Sequence, residues 1–570
     1  MKYCEVKKIV GESRSGRWWQ DADKKKSGPK WKTLCHNGVY FPEAYERLPS
    51  KIRVLYKGKP VALDHSNTNN SFNMSAEEAM IYFAQMVDRD ERLKKDKKRH
   101  RYSDDPVFRA NFWKDWKKIL GSGSVIKDMK DVNFKPVADY LFKNSESKKA
   151  TKKAMTKEEK EAEKAQKEAI RELYGFANID GVKIPMDYVV EIPGLYQGHG
   201  KHPLRGRIKK RLKPSDITIN VSKKCVPKCV THGKPCKWGE VVENRNVTWI
   251  AAWKHPITGE MTYKWLKRTE SHFVCAGDME KFDKASKLDK NIESIRKKYR
   301  RDLKSSKNDI RQLATAVYLL DVLAIRPGTE KDEAKEAGTL GLTTLKCTNV
   351  KFSSDNYITI DFTGKSSIQF NKKFKVDSTV YSNLKGLCGG KGKSSALFPN
   401  VNATSLNAYL KTLLPGLTAK VFRTWKASSI LQNELDKNIP ESNIPVYEKK
   451  LIYDKVNIAV AKALNHKRMT SNDDRIKKIK TKIKEFKGKL KIAKTASQKA
   501  SATRSIATWT SKLEEAEGNI ALSTSKANYL DPRISVVWAK KANCPIEKIY
   551  NKTYLQKFVW AMDAGLSWQF

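Results

Sequence analysis

Two apolar stripes near the C-terminal end give the clearest periodicity in the chain. Ile476, Ile479, Ile483, Phe486 and Leu490 recur in steps of three and four, and so do Ile506, Trp509, Leu513, Ala516 and Ile520. Separated by Thr495-Ala496-Ser497-Gln498, they predict an antiparallel coiled coil over 469–518 with a Lys-rich outer face. Helical spacing also marks 76–87, with Ser75 as a cap ahead of Glu77-Glu78, then 105–120 and a charged helix from Thr156 to about Tyr174-Gly175. Further helices are predicted over 308–324 and 417–431. Alternation marks strands at Ile52–Tyr56, turning at Lys57-Gly58-Lys59, at Asp216–Val221, and at Val247–Trp253 followed by a turn and Met261–Trp265. A last strand, Tyr357–Phe362, turns at Thr363-Gly364, and a tight hairpin there would project Lys365 from its rim. The chain thus reads as mixed to about 163, β-rich to 270 and mainly helical from 271 to 468.

Length and charge narrow the function. With 570 residues and 39% hydrophobic content, several domains with real cores are possible. No apolar run reaches eighteen residues, which predicts no membrane span, and Met1-Lys2-Tyr3-Cys4-Glu5 lacks the apolar core of a secretory signal. Lys and Arg number 113 against 63 acids, a formal net charge of +50. Such an excess predicts a polyanionic partner held through phosphates, with affinity falling steeply as salt rises. A Lys-rich proteome alone is the bland alternative. Nine scattered cysteines predict reduced thiols. One cluster stands apart: Cys225, Cys229, His232 and Cys236 supply four soft ligands within twelve residues. It reads either as a structural zinc site with no open position or as an irregular loop with incidental cysteines.

Candidate chemistry comes from five segments taken in chain order. They are Leu323-Ala324-Ile325-Arg326-Pro327-Gly328, Phe362-Thr363-Gly364-Lys365-Ser366-Ser367, Thr418-Ala419-Lys420-Val421-Phe422-Arg423-Thr424, Leu464-Asn465-His466-Lys467-Arg468 and Ser525-Lys526-Ala527-Asn528-Tyr529-Leu530-Asp531-Pro532-Arg533. Together they offer Arg326, Lys365, Arg423, His466 and Tyr529: a nucleophile, cations for phosphate oxygens and a proton donor for a leaving group. That is the set a metal-free attack on a phosphodiester needs. Any one of these residues alone is more often a surface cation, a core aromatic or a satisfied histidine. With the five in register, from about Lys30 to Phe570, the chain resembles eukaryotic-type type IB DNA topoisomerases.

The resemblance implies a multidomain, mixed α+β DNA clamp with a helical catalytic domain of the tyrosine recombinase and type IB topoisomerase type. Its expected parts are a short basic segment 1–29 carrying Trp18 and Trp19, and a β-rich core lobe 30–48 with 164–270. A cap lobe, 49–163, carries projecting basic helices and the basic runs Lys94–Arg101 and Lys148–Lys153. The catalytic domain 271–468, the linker 469–518 and a C-terminal domain 519–570 with the nucleophile complete the order. Tyr529 would attack phosphorus, Arg326 and Arg423 would hold the non-bridging oxygens, His466 would donate to one of them, and Lys365 would protonate the leaving 5′ oxygen. No residue in the sequence stands out as the base for Tyr529. Further DNA contacts are expected at His199, Lys201, His202, Ser366, Thr524 and Asn528. The implied partner is double-stranded DNA, the implied state a monomer, and the implied compartment the nucleus, or a nucleoid or cytoplasm for an archaeal or viral source. Neither a nucleotide cofactor nor a catalytic metal is expected, and the chain has no Gly-x4-Gly-Lys-Ser/Thr loop.

Departures from the family pattern carry expectations of their own. Relatives typically read Arg-Gly-Arg-Gly-Asn-His-Pro-Lys where this chain has Gln197-Gly198-His199-Gly200-Lys201-His202-Pro203-Leu204, and Gly-Lys-Asp-Ser where it has Gly364-Lys365-Ser366-Ser367. Two of three family contacts for camptothecin are thereby changed, at His199 and Ser366, while Asn528 is kept, which predicts reduced sensitivity. A Lys–Glu pair that closes the clamp in relatives falls near Leu204 and Lys335, predicting more distributive relaxation. A tyrosine recombinase is the alternative enzyme class; the coiled coil before Tyr529 and the large cap region argue against it. A basic architectural protein is the non-enzymatic alternative.

Overall fold

The structure, a computed structural model, describes residues 28–63, 70–72, 74–92, 101–267, 272–332, 336–390, 392, 394–468 and 473–570. Trp18, Trp19, Lys335 and nearly all of the Lys94–Arg101 run lie outside the described residues. The chain divides into two compact units, one from the described residues before His272 with a short piece at Asp332–Ala337, the other from His272–Lys331 and Gly338–Phe570.

Among the described residues the first unit shows two main cores. One is built by helices α1 (Ala76–Arg92), α2 (Pro106–Leu120) and α3 (Lys135–Ala154), against a small sheet in the order Lys59–Val61, Val54–Tyr56, Val132–Asn133. Local chemistry sets these helix starts. Ser75 Oγ accepts the Glu78 N–H at 3.0 Å, and the Asp105 carboxylate accepts the N–H groups of Val107 and Phe108, so orphan donors of each first turn are satisfied. Phe83, Phe108, Phe112 and Trp116 fill this core and are fully buried, each contributing roughly 1.5–3 kcal/mol of burial free energy. Helix α4 (Lys157–Tyr174) buries nothing; it is defined by its Thr156–Glu159 capping box and ends at Gly175, where a Cβ would sit 2.5 Å from the Arg171 carbonyl oxygen.

The second core of this unit lies under a four-stranded sheet ordered Glu240–Val242, Thr218–Asn220, Trp249–Lys254, Met261–Trp265. The strand expected over 216–221 is shorter because Pro214–Asp216 forms a 3-10 turn, closed by the Lys213 N–H donating to the Asp216 carboxylate at 2.9 Å. Leu34–His36 pairs with Phe176–Ile179, joining chain from before and after α1–α4.

The zinc expectation is corrected here. Cys225 ends a 3-10 turn against the strand Leu34–His36 and is disulfide-bonded to Cys35, 190 residues away in sequence. Cys229 is bonded to Cys236 across a small hairpin, Val230–Thr231 with Lys234–Pro235. His232 and Gly233, both at positive φ, form its two-residue turn. The sulfurs are therefore committed to two separate bonds, and among the described residues no group of three or more potential ligands converges. The all-reduced expectation is corrected with it: four cysteines, Cys35, Cys225, Cys229 and Cys236, are oxidised in two disulfides.

The second unit has one large core. In chain order it comprises α5 (His272–Asp302), α6 (Asn308–Leu323), a three-stranded antiparallel sheet (Val350–Phe352, Tyr357–Gly364, Ile368–Lys375), α7 (Ser378–Cys388), α8 (Ala403–Leu413), α9 (Ala419–Asp436) and α10 (Val446–Ala463). There follow α11 (Asp473–Ile492) and α12 (Ala496–Glu517), packed along each other as a hairpin, then α13 (Leu522–Asn528), α14 (Pro532–Lys541) and α15 (Lys552–Lys557). In the hairpin only Ile479, Ala502 and Ala516 are fully shielded, because two helices alone cover little more than one seam. α9, which carries Arg423, runs against α5, α10 and α14.

Candidate active site

Four of the five expected side chains meet within the second unit. Arg326 follows α6, whose C-cap, Ala324, turns the chain with φ 49°. The turn is pinned by Leu342 N–H donating to the Arg326 carbonyl at 2.9 Å and Thr343 N–H to that of Pro327 at 2.7 Å. Gly328 sits at φ +87°, and a Cβ there would lie 2.8 Å from Gly341 Cα, so glycine is required. Arg423 projects from α9 and is buried at 5% exposure. Its Nη1 donates to the Ala324 carbonyl at 2.6 Å, and its Nη2 donates to the Leu464 carbonyl at 3.3 Å and to His466 Nε2 at 3.2 Å. The guanidinium is thus locked to the ends of the two segments that bring Arg326 and His466.

His466 follows the turn at Asn465 (φ 53°) and is equally buried. Its backbone N–H donates to Ala461 O at 2.8 Å and its carbonyl accepts from Ala521 N–H at 2.9 Å. Its Nδ1 lies 2.7 Å from Ser525 Oγ. Tyr529 ends α13, with its N–H donating to Ser525 O at 2.9 Å. Its hydroxyl accepts from Arg326 Nη2 at 3.4 Å. The ring stacks on His466 with centroids 5.0 Å apart, and Arg423 Cζ lies 5.1 Å from the same ring.

The electrostatics follow from this packing. Burial by itself would push the Tyr529 phenol up; the Arg423 and Arg326 guanidiniums outweigh it and hold the phenol below its usual value. Burial, helped by the same two cations, drives His466 down to about 3, so the ring is neutral. Burial also pulls Arg423 down from its very high ordinary value, opposed by the phenol. A half-buried phenol between two fixed cations and a neutral imidazole has the chemistry to act as a nucleophile, beside donors suited to developing negative charge.

Lys365 is not part of this contact group. It stands exposed at the tip of the Tyr357–Gly364/Ile368–Lys375 hairpin, with no ion-pair partner among the described residues. Next to it Ser366 takes φ 62°. The hairpin is tied to the His466 segment by Asn465 Nδ2 donating to Gln369 O at 3.0 Å. Thr524 and Asn528 lie one turn apart on α13, just before Tyr529, with Asn528 Nδ2 donating to Thr524 O at 3.1 Å. In the first unit His199 and Lys201 are exposed. His202 is buried, its Nε2 3.3 Å from Tyr196 Oη and its Nδ1 accepting from Leu204 N–H at 3.1 Å. Its Cβ would lie 2.4 Å from any Cβ on Gly198.

Sequence reasoning missed three supports of the Tyr529 segment. Ser428, one turn beyond Arg423 and fully buried, donates to Tyr529 O at 3.0 Å and accepts from Asp531 N–H at 3.1 Å. Lys557 donates to Ala527 O at 2.6 Å at the end of α13 while pairing with Asp278 at 3.2 Å. Ser525 is the third. Ser525 is the only one with a local signal, its place in the tyrosine segment; the other two act across a hundred or thirty residues of chain.

Three family models tile the chain: the eukaryotic DNA topoisomerase I DNA-binding fragment over 29–266, the catalytic core of the same family over 270–497, and a C-terminal topoisomerase domain over 503–570. Among curated relatives, DNA topoisomerase 1 beta of Arabidopsis thaliana is 37% identical across 98% of this chain and 62% of its own length. DNA topoisomerase 1 of Drosophila melanogaster is 37% identical across 96% of this chain and 55% of its own length. DNA topoisomerase 1 of Homo sapiens is 34% identical across 96% of this chain and 72% of its own length. The chain therefore spans only 62% and 55% of the plant and fly relatives, but close to three quarters of the human one. By these matches over nearly every residue, the chain belongs to the eukaryotic DNA topoisomerase I family.

Proposed function

We propose that this protein is a type IB DNA topoisomerase that relaxes positive and negative supercoils in double-stranded DNA. The observation that carries the reading is the Tyr529 hydroxyl lying against Arg326, with its ring between Arg423 and His466. The Tyr529 oxygen attacks phosphorus; its bond to phosphorus forms as the bond to the 5′ oxygen breaks. Arg326, Arg423 and His466 stabilise the non-bridging oxygens, and Lys365 gives its proton to the departing 5′ oxygen. No carboxylate bonds the phenol among the described residues, so the phenolic proton leaves to water, assisted by the guanidinium field. The 3′-phosphotyrosyl bond conserves the energy of the diester, the free end rotates, and the reverse attack reseals the strand without ATP or a metal.

The finer organisation belongs to the same proposal. A cap lobe 49–163 and a core lobe 30–48 with 164–270 act with the catalytic domain 271–468 as a monomeric clamp on the duplex. The α11–α12 hairpin serves as the linker 469–518, and 519–570 brings the nucleophile. His199, Lys201, His202, Ser366, Thr524 and Asn528 serve as DNA contacts. A net charge of +50 supports binding governed by phosphates. Nuclear residence follows the family; no described helix is long and apolar enough to cross a membrane.

Plasmid relaxation in EDTA, by wild type and Tyr529→Phe, tests this. Wild type relaxes any closed circular plasmid and leaves protein attached to 3′ ends on denaturation, and Tyr529→Phe does neither. Fully wound plasmid, or relaxation by the phenylalanine variant, overturns the proposal. Activity only on DNA with paired specific sites would favour a recombinase instead.

A further inference from the structure

Both ring nitrogens of His466 are engaged inside the protein. Nε2 lies 3.2 Å from Arg423 Nη2, and a guanidinium N–H only donates, so Nε2 accepts there. The neutral ring then carries its proton on Nδ1, 2.7 Å from Ser525 Oγ. Donation to a phosphate oxygen, the role assigned above, needs the opposite tautomer with the proton on Nε2. The group at Nδ1 must therefore accept a hydrogen bond before DNA binds and donate one afterwards. A carbonyl or carboxylate only accepts and an ammonium only donates; a hydroxyl does both by rotating about its Cβ–Oγ bond.

Ser525 supplies that hydroxyl. It is 0% exposed, so water does not compete for Nδ1. It lies on α13 four residues before the nucleophile, and its own carbonyl accepts the N–H groups of Tyr529 at 2.9 Å and Leu530 at 3.1 Å. One residue therefore touches the imidazole with its side chain and the nucleophile with its backbone.

We propose that Ser525 is a positioning residue that holds the His466 ring and lets it change tautomer when the scissile phosphate arrives. The inference rests on the topoisomerase reading. In the change, the ring turns out of the Ser525 contact, exchanges its Nδ1 proton for one at Nε2 with solvent, and returns to the hydroxyl. The site gains and loses no proton, and the Ser525 hydroxyl turns from acceptor to donor. Arg423 Nη2 is released from Nε2 toward the phosphate in the same movement.

The test pairs kinetics with a direct reading of the tautomer. Single-turnover cleavage of a duplex oligonucleotide is measured for wild type, Ser525→Ala, Ser525→Thr, His466→Gln and the Ser525→Ala/His466→Gln double variant. Ser525→Ala is expected to cleave about 10–100-fold more slowly, the range that outer hydrogen-bond partners of functional histidines contribute. Ser525→Thr, which keeps the hydroxyl, recovers most of that rate. The alanine change costs nothing further once His466 is glutamine. In imidazole-15N spectra of Tyr529→Phe, the His466 signal, identified by its loss in His466→Gln, moves from the Nδ1–H to the Nε2–H pattern on adding the duplex; with Ser525→Ala it does not. Wild-type cleavage by Ser525→Ala, an equal loss in the His466→Gln background, or an unchanged tautomer overturns the inference. If the threonine variant misfolds, the double variant and the spectra still decide. Absence of any covalent adduct with wild type would instead count against the topoisomerase reading.

Discussion

Replacing Arg423 with lysine keeps the charge and removes the fork. In the structure the guanidinium serves three fixed acceptors, the Ala324 carbonyl at 2.6 Å, the Leu464 carbonyl at 3.3 Å and His466 Nε2 at 3.2 Å. One ammonium on a flexible stem satisfies one of them in a given pose. Two charge-assisted hydrogen bonds are lost, at about 1.5–3 kcal/mol each, so the unit that holds the site should lose about 3–6 kcal/mol before relaxation, seen as a lower thermal midpoint. The chemical step loses more specifically. A missing donor at a developing oxyanion costs roughly 10²–10³ in rate, and a misplaced His466 adds to that. The assay is single-turnover formation of the covalent adduct on a duplex oligonucleotide with enzyme in excess, at a temperature where the variant is folded, with binding measured separately. Cleavage within about tenfold of wild type, with binding unchanged, would refute the claim that the planar fork organises the cradle.

Three further outcomes are expected. His466 is held down to about 3 in the folded state against about 6.5 unfolded, so between those values the unfolded chain binds the extra proton and stability falls as pH falls; His466→Gln should flatten that part of a denaturation profile, and equal acid sensitivity in both proteins would contradict it. Lys365→Ala should cleave an ordinary duplex very slowly and regain rate when the leaving 5′ oxygen is replaced by sulfur, which departs without a proton; no regain would remove Lys365 from the acid role. Wild type should show weak camptothecin trapping of the covalent complex, and Ser366→Asp with His199→Arg should strengthen it; strong trapping at ordinary doses by wild type would undo that reasoning.

Local chemistry made much of the fold legible. The caps Ser75, Asp105 and Thr156 start the helices that were expected behind them, because a side chain two or three residues away settles where a helix begins. The hairpin that lifts Lys365 was equally readable, since alternation and a Thr-Gly turn specify a ladder and its tip. The strand at 216–221 came out shorter where Pro214 imposed a 3-10 turn. The zinc reading failed because the deciding partner, Cys35, lies 190 residues away and nothing near Cys225 announces it.

The same division runs through the site. The sequence by itself determined which side chains are available: one tyrosine segment, two arginines, a lysine on a turn and a histidine, in chain order. Tertiary structure alone decided that Ser525 meets His466, that Ser428 and Lys557 hold the carbonyls around Tyr529, and that burial keeps the imidazole neutral while two guanidiniums draw the phenol down. Hydrogen-bond partners and desolvation depend on which distant segments share a few ångströms, and that proximity is a property of the packed core rather than of any window along the chain.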